Sequence, residues 1–122
     1  MKKILIVDDQ DEVRELVEVT LRIGDFKILQ AENGPKALEI ARAEKPELIL
    51  LDVMMPGGSI DGFEVCEQLK KDPETEGITI IMLTAKGQDI DKQRGREVGA
   101  DDYFTKPFSP LELMDKVEEV LG

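Results

Sequence analysis

Residues 4–12 read ILIVDDQDE: the aliphatic run Ile4-Leu5-Ile6-Val7 passes without a break into Asp8 and Asp9, with Asp11 and Glu12 close behind. Four consecutive aliphatic residues predict a strand covered on both faces, as in a parallel sheet between helix layers. Neighbouring carboxylates repel one another, and more strongly where water is partly excluded. A buried strand that ends on such a cluster calls for a compensating cation.

Working outward, short apolar runs alternate five times with helical patterns. Strands are predicted over Lys3–Val7, Phe26–Ala31, Leu48–Leu51, Ile78–Leu83 and Asp102–Thr105, the last at an edge. Between them, Val13, Leu16, Val17, Thr20 and Leu21 mark one helical stripe, ended by Gly24 as a C-terminal cap. Ala37, Ile40 and Ala41 mark a second stripe, and Phe63, Cys66 and Leu69 a third, closed by Asp72–Pro73. A fourth helix, from Gly87 to Val98, offers little apolar surface beyond Ile90 and Val98 and contains Gly95. It is expected to be the loosest attached. Ser109, Pro110 and Glu112 form a capping-box start for the fifth, whose Leu111, Met114, Val117, Val120 and Leu121 are expected to face inward.

Strands alternating with helices imply a single α/β domain over residues 1–122, with a five-stranded parallel sheet and helices on both faces. Composition narrows the function. A formal net charge of −11 leaves no basic patch for nucleic acid or for an anionic membrane surface. The single cysteine, Cys66, excludes an internal disulfide, and no run reaches transmembrane length, so a cytoplasmic location is expected. The chain has no histidine, so a histidine base, metal ligand or phosphohistidine must come from another molecule.

In open parallel sheets, ligands sit outside the carboxyl ends of the strands. Those ends carry Asp8–Asp9, Asp52, Thr84–Ala85 and Thr105–Lys106–Pro107. Singly, each has an ordinary use: Asp8 or Asp9 as a helix cap with Glu12, Asp52 as a turn residue, Lys106 as a solvated lysine and Thr84 as a loop hydroxyl. Together they fall on one edge. Three converging carboxylates without cysteine or histidine favour a hard cation, Mg²⁺ or Mn²⁺.

The ordered set ILIVDDQDEV, LILLDVMMP, IIMLTAKG and DDYFTKPFSP resembles the receiver domain of bacterial response regulators, the phosphoacceptor half of two-component signalling. The resemblance spans essentially the whole chain. It implies a flavodoxin-like (βα)5 fold with strand order 2-1-3-4-5. By motif, Asp52 resembles the aspartate that accepts a phosphoryl group from a sensor histidine kinase or a histidine phosphotransfer protein. Asp8 and Asp9 resemble the acidic pair that binds Mg²⁺ with Asp52, and the backbone carbonyl of Met54 resembles a further ligand. Thr84 and Lys106 resemble the hydroxyl and ammonium that contact the phosphoryl oxygens. Tyr103 resembles the aromatic switch residue, and Pro107 suggests a cis Lys–Pro bond. The implied output is a changed surface around helix 4, strand 5 and helix 5, read by a downstream protein.

Two features depart from the family or tune it. MPGGSIDG holds two more residues between Pro56 and Asp61 than is usual, so Gly57–Ile60 is expected to form a longer, flexible loop. Met54 and Lys86 occupy positions that tune phosphate lifetime in the family, and Met54 cannot orient an attacking water, which suggests a moderately to long-lived phosphate. Two other readings use the same residues: a binding module that needs no phosphorylation, and a haloacid-dehalogenase-like phosphohydrolase using Asp9-x-Asp11. The second leaves Asp52 unexplained. The expectation is therefore a signalling phosphoacceptor rather than an enzyme, stand-alone like the chemotaxis regulators or excised from a longer regulator.

Overall fold

The computed structural model describes residues 1–54, 60–85 and 89–121. Strands and helices alternate as β1 (Lys2–Val7), α1 (Asp11–Leu21), β2 (Phe26–Ala31), α2 (Gly34–Glu44), β3 (Leu48–Asp52), α3 (Gly62–Lys71), β4 (Thr79–Ala85), α4 (Asp89–Glu97), β5 (Asp102–Lys106) and α5 (Pro110–Leu121). The strands form one parallel sheet in the order β2-β1-β3-β4-β5. β1 pairs with β2 on one side and β3 on the other, so the winding reverses there and opens a crevice at the carboxyl ends of β1 and β3.

Side-chain alternation along the strands builds two cores. Leu5, Val7, Ile49, Leu51, Ile80 and Met82 pack with α2 and α3, while Ile4, Ile6, Leu48, Leu50, Ile81 and Leu83 pack with α1 and α5. Burying both faces is what makes these strands continuous aliphatic runs.

Three strands run further than their hydrophobicity indicates. β3 includes Asp52, β4 reaches Ala85 and β5 reaches Lys106. Asp52 aligns with Leu83, Thr84 with Thr105, and Ala85 with Lys106. Ladder bonds use backbone groups whatever the side chain, so polar residues continue the strands. The polar groups at the sheet edge are thereby held on strands rather than on loops.

The capping box of α5 is present: Ser109 N–H donates to Glu112 Oε1 and Glu112 N–H to Ser109 Oγ, each at 3.2 Å. Leu111 is not inward, being 69% exposed, whereas Leu113 is fully buried. The stripe is set by Leu113 and Val117, and Leu111 stands about 200° around the helix from Leu113. Leu16 is likewise half out of the core, in line with the exposed Val19 and Ile23. Gly24 is no left-handed cap, since positive φ among described glycines occurs at Gly99. Its small size serves packing, because a Cβ there would lie 2.6 Å from the Phe26 ring.

As expected, α4 is polar, running over Asp89–Glu97. Ile90 lies outside the described side chains, but Arg94 ties the helix to α3, 4.5 Å from the Phe63 ring and 3.7 Å from Asp61. Gly95 is a seat for Tyr103, whose ring would lie 2.7 Å from an added Cβ. Cys66 is buried, and burial pushes its thiol up to about 11. The Lys106–Pro107 bond is cis.

Candidate functional site

Asp8 continues β1 by one residue, its N–H donating to the Ala31 carbonyl at 3.1 Å. It is fully buried. Its Oδ1 accepts the Gln10 N–H at 2.9 Å and its Oδ2 accepts the Lys106 ammonium at 2.8 Å. Asp9 is exposed. Neither aspartate caps α1, whose N-cap is Gln10, without a side-chain cap bond.

Asp52 ends β3 directly across from this pair and is only 4% exposed. Its Oδ1 accepts the Met54 N–H at 3.2 Å, and its Oδ2 lies 3.5 Å from the Lys106 ammonium. Burial, then the charge of Asp8, pushes its carboxyl up to about 6, against the pull of Lys106 and the Met54 N–H. Burial pulls Lys106 the other way, but the hydrogen bond to Asp8 and the charge of Asp52 outweigh it, so its pKa stands above the usual lysine value.

Carboxylate oxygens of Asp8, Asp9 and Asp52 all lie within 4.8 Å of one another. Asp9 and Asp52 border a cleft of about 260 Å³, lined also by Gln10, Val53, Met54, Ala85 and Lys106, while Asp8 is buried next to them. An all-oxygen donor set beside open, solvated space suits a hard divalent ion that keeps several waters. One ammonium shared by two buried carboxylates neutralises part of their charge. A divalent ion at the cluster would neutralise the rest.

Thr84 is buried beside this cleft, and its hydroxyl has no hydrogen-bond partner among the described residues. Buried hydroxyls normally have one, so this oxygen has an unused capacity to donate and accept a hydrogen bond. Alternation puts Thr84 on the same sheet face as Met82, whose β5 neighbour is Tyr103. Tyr103 is half-buried and packs on the core beneath α4. The hydroxyl and the ring are therefore same-face neighbours across two strands.

Of the sequence-predicted residues, Asp8, Asp9, Asp52, Met54 and Lys106 share the cleft or its rim, with Thr84 beside it and Tyr103 one step beyond. Met54 points outward, 67% exposed. Lys86 and positions 57–59 of the extended loop lie outside the described residues. Ile60 is described, packs against the core and abuts Gly34, where a Cβ would lie 2.4 Å from its Cγ1.

Two contributors were missed from sequence. Gly62 lies so close to the Asp52 carbonyl oxygen that a Cβ would sit 2.1 Å from it. Arg14 reaches back from α1 to donate to the Asp8 carbonyl at 2.6 Å. Only the i,i+3 spacing of Arg14 from Asp11 is visible in the sequence; its other partners are a backbone carbonyl, which no side-chain pattern marks, and Gln30, sixteen residues on. A larger recess of about 550 Å³, between Met1, Phe26 and Leu121, lies at the opposite end of the sheet, away from the carboxylates.

Comparison with known proteins matches this geometry. The family described as "Response regulator receiver domain" matches residues 4–118. The phosphate regulon transcriptional regulatory protein PhoB of Pseudomonas aeruginosa is 51% identical over 98% of the chain and 52% of its own length. The alkaline phosphatase synthesis transcriptional regulatory protein PhoP of Bacillus subtilis is 46% identical over 98% of the chain and 48% of its own. The chain thus spans about half the length of these curated relatives. Among solved structures, a response regulator from Chloroflexus aurantiacus superposes with a TM-score of 0.90 at 39% identity, covering 98% of this chain and 97% of that one. A chemotaxis response regulator of Vibrio cholerae gives 0.91 at 32%, covering 98% of each.

Proposed function

The chain belongs to the response regulator receiver domain family, and from that premise we propose that Asp52 is its phosphoacceptor, served by Asp8, Asp9, Thr84 and Lys106. The family role, accepting a phosphoryl group in two-component signalling, excludes the dehalogenase-like alternative. One observation carries the assignment: three carboxylates, a shared ammonium and an unpartnered buried hydroxyl meet at one sheet edge.

Receiver domains bind Mg²⁺ at an acidic pocket, and here Asp8, Asp9 and Asp52 would hold it, with the Met54 carbonyl. Bound there, the ion offsets the repulsion between a carboxylate and an incoming phosphoryl group. The chain's own residues do the rest. An Asp52 oxygen attacks phosphorus as the bond to the donor's imidazole nitrogen breaks, and the electron pair stays on that nitrogen, which takes a proton. Lys106, already within reach of Asp52, balances charge on the transferred group. Thr84 donates its hydroxyl to a phosphoryl oxygen, gaining the partner it lacks.

The chain catalyses chemistry only on itself. Its donor is a histidine kinase or phosphotransfer protein, since this chain has no histidine. Its output is a protein contact around α4, β5 and α5, where Tyr103 seats on Gly95. Movement of Thr84 toward the phosphoryl group alters the packing beside Tyr103, so phosphate favours one of two arrangements. Among the described residues no helix is long and apolar enough to cross a membrane, and a free buried thiol suits the cytoplasm.

Incubation with acetyl phosphate, followed by intact-protein mass, tests this assignment. One phosphoryl adduct is expected, dependent on Mg²⁺ and absent in Asp52→Ala. An adduct that survives Asp52→Ala refutes the assignment, and no adduct with any donor favours the binding-only module. Thr84→Val separates the two roles of the hydroxyl. Removing an unpartnered buried hydroxyl is expected to stabilise the unphosphorylated protein by about 1 kcal/mol in urea unfolding. The same change is expected to slow adduct formation by about 10-fold, equivalent to about 1.4 kcal/mol of transition-state contact.

A further inference from the structure

Taking Asp8, Asp9 and Asp52 as a divalent-cation site, we propose that Arg14 is its positioning residue, holding the β1–α1 connection so that the acidic pair faces the ion. Arg14 lies on the second turn of α1, and its side chain is only 11% exposed. Each of its three donor nitrogens has a partner. Nη1 donates to the Asp8 carbonyl at 2.6 Å, Nη2 to the Asp11 carboxylate and Nε to Gln30 Oε1 at 3.3 Å. Gln30 is fixed in turn by donating its amide to Glu18. One planar group therefore ties together the end of β1, the start of α1 and strand β2.

The bond to the Asp8 carbonyl is the informative one. A peptide unit is planar, so fixing that oxygen fixes the plane joining Asp8 to Asp9. That plane sets the direction in which Asp9 leaves the strand, and Asp9 is the exposed member of the cluster. The helix start beside it has no side-chain cap; the Asp8 carboxylate holds the Gln10 N–H at 2.9 Å, and Arg14 adds the bond that fixes the Asp8 carbonyl itself. Arg14 pairs with Asp11 and, among the described residues, with none of the three site carboxylates. It orients the site without neutralising it.

This gives opposite signs for two roles. A bystander cation near an acidic site repels Mg²⁺, so removing it tightens binding. A positioning residue holds the ligands in place, so removing it weakens binding although a repelling charge is lost. Mg²⁺ titration calorimetry on the full chain decides between them, using wild type, Arg14→Gln and Arg14→Lys at a temperature where circular dichroism shows each folded. Arg14→Gln is expected to bind Mg²⁺ about 10-fold more weakly, with amide shifts changed at residues 8–11 and unchanged in α5 and β4. Arg14→Lys is expected to recover part of the affinity, because one ammonium can hold the Asp8 carbonyl but not all three partners.

Equal or tighter binding by Arg14→Gln overturns the proposal. If that variant fails to fold, Arg14→Lys decides: weaker binding than wild type supports the proposal, and equal or tighter binding overturns it. Asp9→Asn and Asp52→Asn control the premise. Mg²⁺ binding that survives both, or is absent from wild type, overturns the carboxylate site and this proposal with it; binding lost in both but unmoved by Arg14→Gln overturns this proposal alone.

Discussion

Asp52→Asn is expected to make the metal-free protein more stable at neutral pH while removing the proposed phosphoacceptor. The cause is the cost of holding an ionised Asp52 in the dry end of β3 beside Asp8. Its carboxyl is raised from 3.8 to about 6 in the fold. Below about pH 4 the group is protonated both folded and unfolded, and it costs nothing. As pH rises toward 6, the unfolded chain releases the proton while the folded one keeps it, so stability falls. Above about pH 6 the whole penalty is present, about 3 kcal/mol for a pKa raised by roughly two. Asparagine carries no such penalty, can still accept the Met54 N–H, and leaves Lys106 paired with Asp8.

Urea unfolding in EDTA between pH 4 and 7.5 should show near-equal stabilities at the acid end. The variant should lead by about 2–3 kcal/mol at pH 7. Saturating Mg²⁺ should close much of that gap, since it stabilises the protein that binds it better. A variant less stable than wild type at pH 7, or sharing its pH slope, would show that Asp52 carries no such cost.

Gly62→Ala is expected to be the most damaging single methyl group among the described glycines. Its Cβ would meet the Asp52 carbonyl oxygen at 2.1 Å and the Val53 Cα at 2.9 Å. Both are backbone atoms, so no rotamer relieves the clash. One end of α3 or the end of β3 must move. Gly62 also donates its N–H to the Val53 carbonyl at 3.4 Å, and Asp61 caps the helix by accepting from Glu64 N–H at 2.9 Å. Overpacking against backbone should cost about 3 kcal/mol or more. Because the displaced atoms belong to Asp52 and its neighbour, Mg²⁺ affinity should fall as well. A stability within about 1 kcal/mol of wild type, with Mg²⁺ binding intact, would count against the rigid approach of α3 to β3.

What the sequence made legible is what short-range patterning encodes. Aliphatic runs located the strands, the Ser109–Glu112 spacing located the start of α5, and the strand-end carboxylates and Lys106 are the residues the fold gathers at one sheet edge. Misreadings arose where packing decides. Gly24 looks like a left-handed cap until Phe26 is placed against it, and the helix glycine Gly95 proves also to be the seat of Tyr103. Leu111 and Leu113 differ by two positions, and only the packing of α5 on the sheet tells which faces inward. The network of Arg14 joins Asp8 and Gln30, residues brought together by the pairing of β1 with β2.

The seating of Tyr103 on Gly95 has a spectroscopic consequence. The chain contains one tyrosine and no tryptophan, so its intrinsic fluorescence comes almost wholly from that ring. The ring lies half-buried on the core, in contact range of α4 and on the same sheet face as Thr84. Any rearrangement that lifts it off Gly95 or drives it deeper changes the polarity around the molecule's single reporter. The protein is thus its own optical probe: emission recorded through a phosphorylation time course, with no label attached, reports on the surroundings of Tyr103 beside α4.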